Sequence, residues 1–419
     1  MKEIRIPNDQ NVDLSVPFLG LGQTLEALEL NPNTVGNLEF FQAFFTAVVT
    51  DSPQIRHLTL RGDHSEIDIS PVSLLKSLHT LELNLANVYI SSSLLKGLGN
   101  LEHLIKLKLH VGSSVASNAY ETPVLVKSGG KKKPKSKNGP SKPASGIWPD
   151  VWHPSLPTTG FQSLKKLDLV GPVTSMQRIM RPMSFRFLEA FTYHETHDNS
   201  TRSTAAGPFW IDFLEILAEG AHYLKTVTIN QYDDPWESPL SLPLISPILR
   251  IHNLVTLEIN NASISLSDTD FVIIVSSFSS LKRLALPDMC NSNSPTLMAL
   301  WQPSIICSTL EELKICLFCN NAGSTIPTNL KAIRIRHQDA HKSLRRLFIS
   351  SAFGQLSDID VIHVARIFNC AFPELLSIEG CGSRAGQESW GRVELFRNAL
   401  QEMRMDKLAE NVVLPNDMK

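Results

Sequence analysis

At 419 residues the chain is too long for one ordinary globular domain and suits either two or three domains or one elongated repeat array. Hydrophobic residues at 42% and charged residues at 19% exclude wholesale disorder and collagen-like sequence. The net charge of −2 points to no nucleic-acid or membrane partner, yet it is unevenly placed: residues 127–142 hold seven lysines and no acid, leaving 32 basic against 41 acidic side chains, or −9, elsewhere.

From the N-terminus, Met1-Lys2-Glu3-Ile4-Arg5-Ile6-Pro7 lacks the apolar stretch of a signal peptide. Glu3-Ile4-Arg5-Ile6 reads as the end of a strand, with Ile4 placed 24 residues before Leu28. The chain is therefore expected to open inside a repeat, uncapped, with either further sequence upstream or a frayed end. Next, a short pattern recurs: an apolar residue, two others, an apolar residue, any residue, an apolar residue. It runs through Leu25/Leu28/Leu30, Ile55/Leu58/Leu60, Leu78/Leu81/Leu83 and Leu104/Leu107/Leu109. After a gap it resumes at Leu164/Leu167/Leu169, Leu188/Phe191/Tyr193, Leu224/Val227/Ile229 and Leu254/Leu257/Ile259. It continues at Leu281/Leu284/Leu286, Leu310/Leu313/Ile315, Leu330/Ile333/Ile335 and Leu344/Leu347/Ile349, with a degenerate Leu375/Ile378.

The starting residues advance by 30, 23 and 26, then 60 across the gap, then 24, 36, 30, 27, 29, 20, 14 and 31. Most steps lie near the repeat length of about 20–29 residues that marks a leucine-rich solenoid. The last two apolar positions of each triplet are two apart, so on a strand they face one way while the residue between them faces the other. One such strand cannot bury its face alone; parallel strands stacked about 4.8 Å apart can. Between the triplets, Phe40–Val49, Phe209–Leu217 and Asp270–Val275 carry apolar residues at helical spacing and read as return helices. The step of 14 after Leu330 leaves two readings, a bare return loop through His337-Gln338-Asp339-Ala340-His341 or a hairpin.

Residues 112–160 break the rhythm. Lys127 to Pro143 has no large apolar side chain and is expected to be disordered, either as a solvated loop or as a nuclear-localisation or polyanion patch formed by Lys131, Lys132, Lys133, Lys135 and Lys137. Trp148 and Trp152 read as anchors that return this insertion to the coil. The organisation expected is N-terminal repeats over 1–111, the insertion over 112–160, C-terminal repeats over 161–392, and a capping helix with tail over 393–419 whose outer face is polar.

On these triplets the chain resembles leucine-rich-repeat proteins, and more narrowly the irregular solenoids behind an F-box in fungal and other eukaryotic proteins, over roughly residues 25–380. The resemblance implies an α/β leucine-rich-repeat solenoid, with a curved parallel sheet on the concave face and helices on the convex face. It also implies a non-enzymatic module that recognises protein partners, such as the substrate receptor of an F-box-type ubiquitin ligase. Asn33 matches the asparagine that follows the strand in this family, whereas Asp63, Ala86, Gly112 and Ala262 do not. No F-box is visible, so the ligase adaptor is implied as a partner only if such a module lies upstream. A second expectation is a nuclear or RNA-associated factor acting through the lysine run.

Catalytic and metal signatures are poor. Cys316-Leu317-Phe318-Cys319 has half of a zinc spacing without a second pair, and His194-Glu195-Thr196-His197 lacks the helical metalloprotease spacing and reads as a polar loop. No Gly-rich phosphate loop or Gly-x-Ser-x-Gly elbow is present. The six cysteines, all beyond Met289, read as reduced thiols of a cytoplasmic or nuclear protein. No catalytic residue, cofactor, metal or membrane partner is expected. The outward strand residues remain: Arg61, Glu82, Lys106, Lys108, Thr228, Asn230, Glu258, Asn260, Arg334, Arg336, Arg346 and Phe348 are the candidate partner-binding residues. Of these Phe348, an outward aromatic, is the candidate hot spot.

Overall fold

The computed structural model describes residues 3–5, 22, 24–31, 38–62, 68–85, 90–111, 160–196, 206–231, 239–260, 265–287, 293–301, 307–317, 341–351, 356–382 and 384–412. Alternating burial, with leucine or isoleucine inward and a polar residue outward, sets the strands. In chain order they are β1 Glu3–Arg5, β2 Ala27–Leu30, β3 His57–Gly62, β4 Thr80–Leu85, β5 Lys106–Val111, β6 Lys166–Gly171 and β7 Ala190–Glu195. They continue as β8 Thr226–Gln231, β9 Thr256–Asn260, β10 Arg283–Ala285, β11 Glu312–Leu317, β12 Arg346–Ser351 and β13 Ser377–Gly382. All join one open sheet of 13 strands in sequence order, and every pairing is parallel. The fold is a solenoid-like α/β stack.

The register is continuous. Leu28, Leu58, Leu81, Leu107, Leu167, Phe191, Val227, Leu257, Leu284, Leu313, Leu347 and Ile378 stand opposite one another from β2 to β13, and Ile4 joins them in β1. The residues from Leu28 to Ile378 belong to a single buried cluster with the inward helix residues. Burial of each such side chain contributes about 2 kcal/mol. At the leading edge of each strand one carbonyl takes two amides of the next rung: Arg56 O accepts from His79 and Thr80, and Ile105 O accepts from Lys165 and Lys166. The same fork repeats to Arg345 O, which accepts from Leu376 and Ser377. The rungs are thus fastened by backbone bonds as well as by the leucine column.

Helices cover the leucine face. The expected return helices are α1 Leu38–Asp51, α4 Ala206–Gly220 and α6 Asp268–Ser276; α2 Ser92–Gly99, α3 Val173–Met180, the single turn α5 Leu242–Ile245, α7 Asp358–Ala371 and α8 Arg384–Val412 complete the described set. Their starts follow from short polar caps. Ser267 Oγ accepts from Asp270 N at 3.2 Å while the Asp270 carboxylate accepts from Ser267 N at 2.8 Å, a reciprocal capping box. Ser91 and Ser357 cap α2 and α7 in the same way on one side. Gly171 ends β6 with φ +151, where an added Cβ would come within 2.5 Å of Val111 O, so only glycine lets β6 lie this close to β5.

Among the described residues no further strand lies beside β13, and α8 supplies partners for its carbonyls. Arg397, fully buried, donates from Nη1 to Leu375 O at 2.7 Å and from Nη2 to Leu376 O at 3.4 Å. Its charge is met by Glu394, with Nε to Oε2 at 2.8 Å. A guanidinium thus takes the place that backbone amides fill in the other rungs.

The triplet Leu330/Ile333/Ile335 and the return loop or hairpin expected after it lie outside the described residues; β11 pairs directly with β12, Lys314 opposite Phe348. Three expectations are corrected. His194 and Glu195 are not a loop, because β7 runs through both. The outer face of α8 is not uniformly polar, since Trp390, Val393 and Arg397 turn inward while Leu395 and Met403 are exposed. Cys316 is disulfide-bonded, while Cys307, Cys370 and Cys381 are free, so the cysteines are not all reduced. No described helix is long and apolar enough to cross a membrane.

Candidate interaction surface

The helices leave one sheet face uncovered, and strand alternation sets which residues reach it. The register sorts these residues into three rows running across the strands. The leading row reads His57, Thr80, Lys106, Lys166, Ala190, Thr226, Thr256, Arg283, Glu312, Arg346 and Ser377 from β3 to β13. The middle row runs from Glu29 through Thr59, Glu82, Lys108, Asp168, Thr192, Thr228, Glu258, Ala285, Lys314 and Phe348 to Glu379. The third includes Asn84, His110, His194, Asn230 and Asn260.

Most middle-row side chains are half-buried between their neighbours and hold one another. Arg61 Nε lies 3.5 Å from Glu29, its Nη2 lies 3.8 Å from Glu82, and Glu82 also receives Lys108 at 3.3 Å. Further along, Arg283 bridges Glu258 at 2.8 Å and Glu312 at 3.3 Å, and Glu312 also meets Arg346. Single exposed pairs of this kind contribute at most about 1 kcal/mol; linked across strands, they fix the orientation of charges that would otherwise sweep through solvent.

The third row is a directional hydrogen-bond chain. Asn260 Nδ2 donates to Asn230 Oδ1 at 2.8 Å, and Asn230 Nδ2 donates to His194 Nδ1 at 3.3 Å. His194 therefore carries its proton on Nε2, which points to Asp168 Oδ1 at 3.7 Å, an electrostatic contact too long for a hydrogen bond. One strand pair away, His110 Nδ1 donates to Asn84 Oδ1 at 2.5 Å. Both imidazoles are held below the usual 6.5. For His110, burial acts first and the Lys108 charge second; for His194, burial outweighs Asp168, and Lys108 adds to the lowering. At neutral pH both rings are neutral, so the row is a fixed pattern of donors and acceptors.

Of the expected partner-binding residues, Arg61, Glu82, Lys106, Lys108, Thr228, Asn230, Glu258, Asn260, Arg346 and Phe348 all stand on this face. They form three neighbourhoods: Arg61 to Lys108 on β3–β5, Thr228 to Asn260 on β8–β9, and Arg346 with Phe348 on β12. Lys106 and Lys166 stand in register, exposed, with no ion-pair partner among the described residues, although like charges placed opposite each other are unfavourable. Arg334 and Arg336 lie outside the described residues, as do Lys131, Lys132, Lys133, Lys135, Lys137, Trp148 and Trp152.

Sequence reasoning missed Glu29, His194 and Arg283. Their signal was present, because each sits one residue before or after an inward apolar position. The strand before His194 was drawn too short, whereas Arg283 lay inside the Leu281/Leu284/Leu286 triplet and was passed over. Among the described residues, no three His, Cys, Asp or Glu side chains gather as a metal site. Set against models of known protein families and against curated proteins, the chain matches none.

Proposed function

We propose that this chain is a non-enzymatic recognition module of the leucine-rich-repeat kind that grips a protein partner on the open sheet face. Helices packed side by side need about 8–10 Å each, whereas strands stack at about 4.8 Å. A coil with helices behind its sheet therefore bends toward the open face and makes it a concave wall. The observation that carries the reading is the pre-ordering of that wall: its ion pairs and amide–imidazole chain already hold the polar side chains in place, so a partner meets them at a small entropic cost. An extended polypeptide suits a wall of in-register strands whose rows alternate charge, hydroxyl and amide. The role in the cell that best fits is a substrate receptor working with the ligase adaptor in the cytoplasm or nucleus.

Affinity purification with matched variants tests this. A protein recovered by the wild type and by a helix-face control (Glu215→Lys), and depleted at least about tenfold by Lys108→Glu/Thr228→Arg/Glu258→Arg, is the expected result. Co-recovery of the adaptor would support the receptor role. An unchanged set of partners with the folded triple variant would remove the open face as the gripping surface.

A further inference from the structure

The amide–imidazole chain on the open face has a direction, and one carboxylate sets it. Asp168 Oδ1, buried and without a hydrogen bond, lies 3.7 Å from His194 Nε2 and favours the proton on that nitrogen. Nδ1 is then an acceptor, Asn230 offers it Nδ2, and the Asn230 oxygen is left to accept from Asn260. A choice made on β6 is thus relayed across β7, β8 and β9. It goes no further on either side. The register places Val170 beside His194. Beyond Asn260, β10 ends at Ala285, and Pro287, which the register would bring alongside, has no N–H to give.

The free end of the chain is Asn260. Its oxygen accepts no hydrogen bond among the described residues, and Asn230 and Asn260 each keep one amide hydrogen beyond those used in the chain. Both side chains are half-buried between their strands, so these groups are held in place. From Val170 to Asn260 the row carries no formal charge while His194 is neutral, so it suits a peptide group better than an ion. One carboxamide acceptor beside two donors is a pattern that an extended backbone answers, because each of its residues brings one N–H and one C=O.

Protonation of His194 reverses this pattern. An imidazolium carries a hydrogen on both nitrogens, so Asn230 must turn its oxygen to Nδ1 and its Nδ2 to Asn260. Asn260 must then give its oxygen to Asn230. Where a free oxygen stood, an NH2 group now stands, and a backbone N–H docked there faces another donor. The surroundings of the ring set when this happens. Burial opposes the imidazolium most, Asp168 on β6 favours it and Lys108 on β5 opposes it, so the ring stays neutral until the pH falls below 6.5. His110 on β5, Lys166 on β6 and Glu258 on β9 share the face, and β8 brings no ionisable side chain. Glu195, next on β7, turns to the helix side, where it acts on Tyr193.

We propose that Asn260 and Asn230 dock the backbone of an extended polypeptide at neutral pH, and that a proton on His194 releases it by reversing the amide chain. The inference rests on the open face being the gripping surface, and adds what that face recognises and how it lets go.

The test uses the full chain and a short fluorescein-labelled peptide of alternating Thr and Ser, read by fluorescence anisotropy. Expected is saturable binding that weakens several-fold between about pH 7.5 and about pH 5. Asn260→Ala, or a peptide with an N-methylated backbone, should bind about tenfold more weakly at the higher pH. His194→Gln keeps an acceptor that does not titrate, so it should bind at neutral pH and lose the pH response, whereas His110→Gln should retain it. In the chain labelled with 15N at asparagine, the side-chain amide signals of Asn230 and Asn260 should move together, with the midpoint of the His194 ring. Absent binding, equal binding by Asn260→Ala or the N-methylated peptide, or a pH response that is missing, survives His194→Gln or vanishes in His110→Gln would each overturn the inference. So would amide signals that stay put while the ring titrates, or unfolding of the chain over that pH range. Of these, pH-independent binding that Thr228→Arg/Glu258→Arg abolishes would sink only the proton switch and leave the open face as the gripping surface. Binding untouched by that variant would sink both.

Discussion

Two crossovers of unequal length, residues 112–165 between β5 and β6 and residues 318–345 between β11 and β12, leave their flanking strands side by side in unbroken register. What differs is how the chain is pinned where it returns. After the first crossover the pin is apolar: Phe161, 2% exposed, enters the core with φ +25, and Ser163 then bonds to Glu102 O. After the second it is polar: His341, also 2% exposed, accepts from Leu344 N at Nδ1 (3.0 Å), which leaves Nε2 to donate to Cys307 O at 2.5 Å. Its own amide bonds Ala371 O at 2.8 Å. Register is therefore set by the rungs and their pins, and the length of chain between them matters little.

The sharpest way to break this comparison is to remove the apolar pin. Phe161→Ala leaves a cavity behind a buried ring and should lower stability by about 3–4 kcal/mol in chemical denaturation; a loss under about 1 kcal/mol would mean that the first crossover is held elsewhere. The polar pin should respond to pH instead. The His341 pKa lies below 6.5, mainly because burial disfavours the charged ring. The unfolded chain then binds more protons at that site, so stability is full above pH 6.5 and declines as pH falls below it toward the folded value. Protonating Nδ1 would set a donor against the Leu344 amide. His341→Gln should be less stable at neutral pH and show a shallower decline of melting temperature on acidification; an unchanged slope would assign the pH response to His110 and His194. The smallest effect belongs to the linker. Deleting residues 127–142 should shift stability by no more than about 0.5 kcal/mol, since closure entropy grows slowly with loop length, and a larger change would give that segment a structural role.

The rungs were legible because the leucine triplet is local and recurs, and a repeated local signal survives errors in any one copy. The triplet Leu330/Ile333/Ile335 satisfies the same pattern, yet the described strands β11 and β12 pair directly with each other. Pattern matching reports what could be a rung, and only pairing decides. The pin His341 and the guanidinium of Arg397 stayed hidden, because each acts on a neighbour more than 20 residues away that periodicity cannot name. On the open face the residue types were legible, but the linkage of Asn260, Asn230, His194 and Asp168 into one oriented chain was not, since it depends on strands being neighbours.

The continuity of the sheet across β11 and β12 underlies the whole open face, and cross-linking tests it most directly. Lys314 and Phe348 are Cα partners on neighbouring parallel strands, about 4.8 Å apart, within the range of about 4.4–6.8 Å that a disulfide spans. In the folded chain, Lys314→Cys/Phe348→Cys should oxidise to an intramolecular disulfide with the melting temperature retained. Failure of that pair to close, with Lys314→Cys joining Arg334→Cys instead, would put another rung between the two strands and contradict the sheet order.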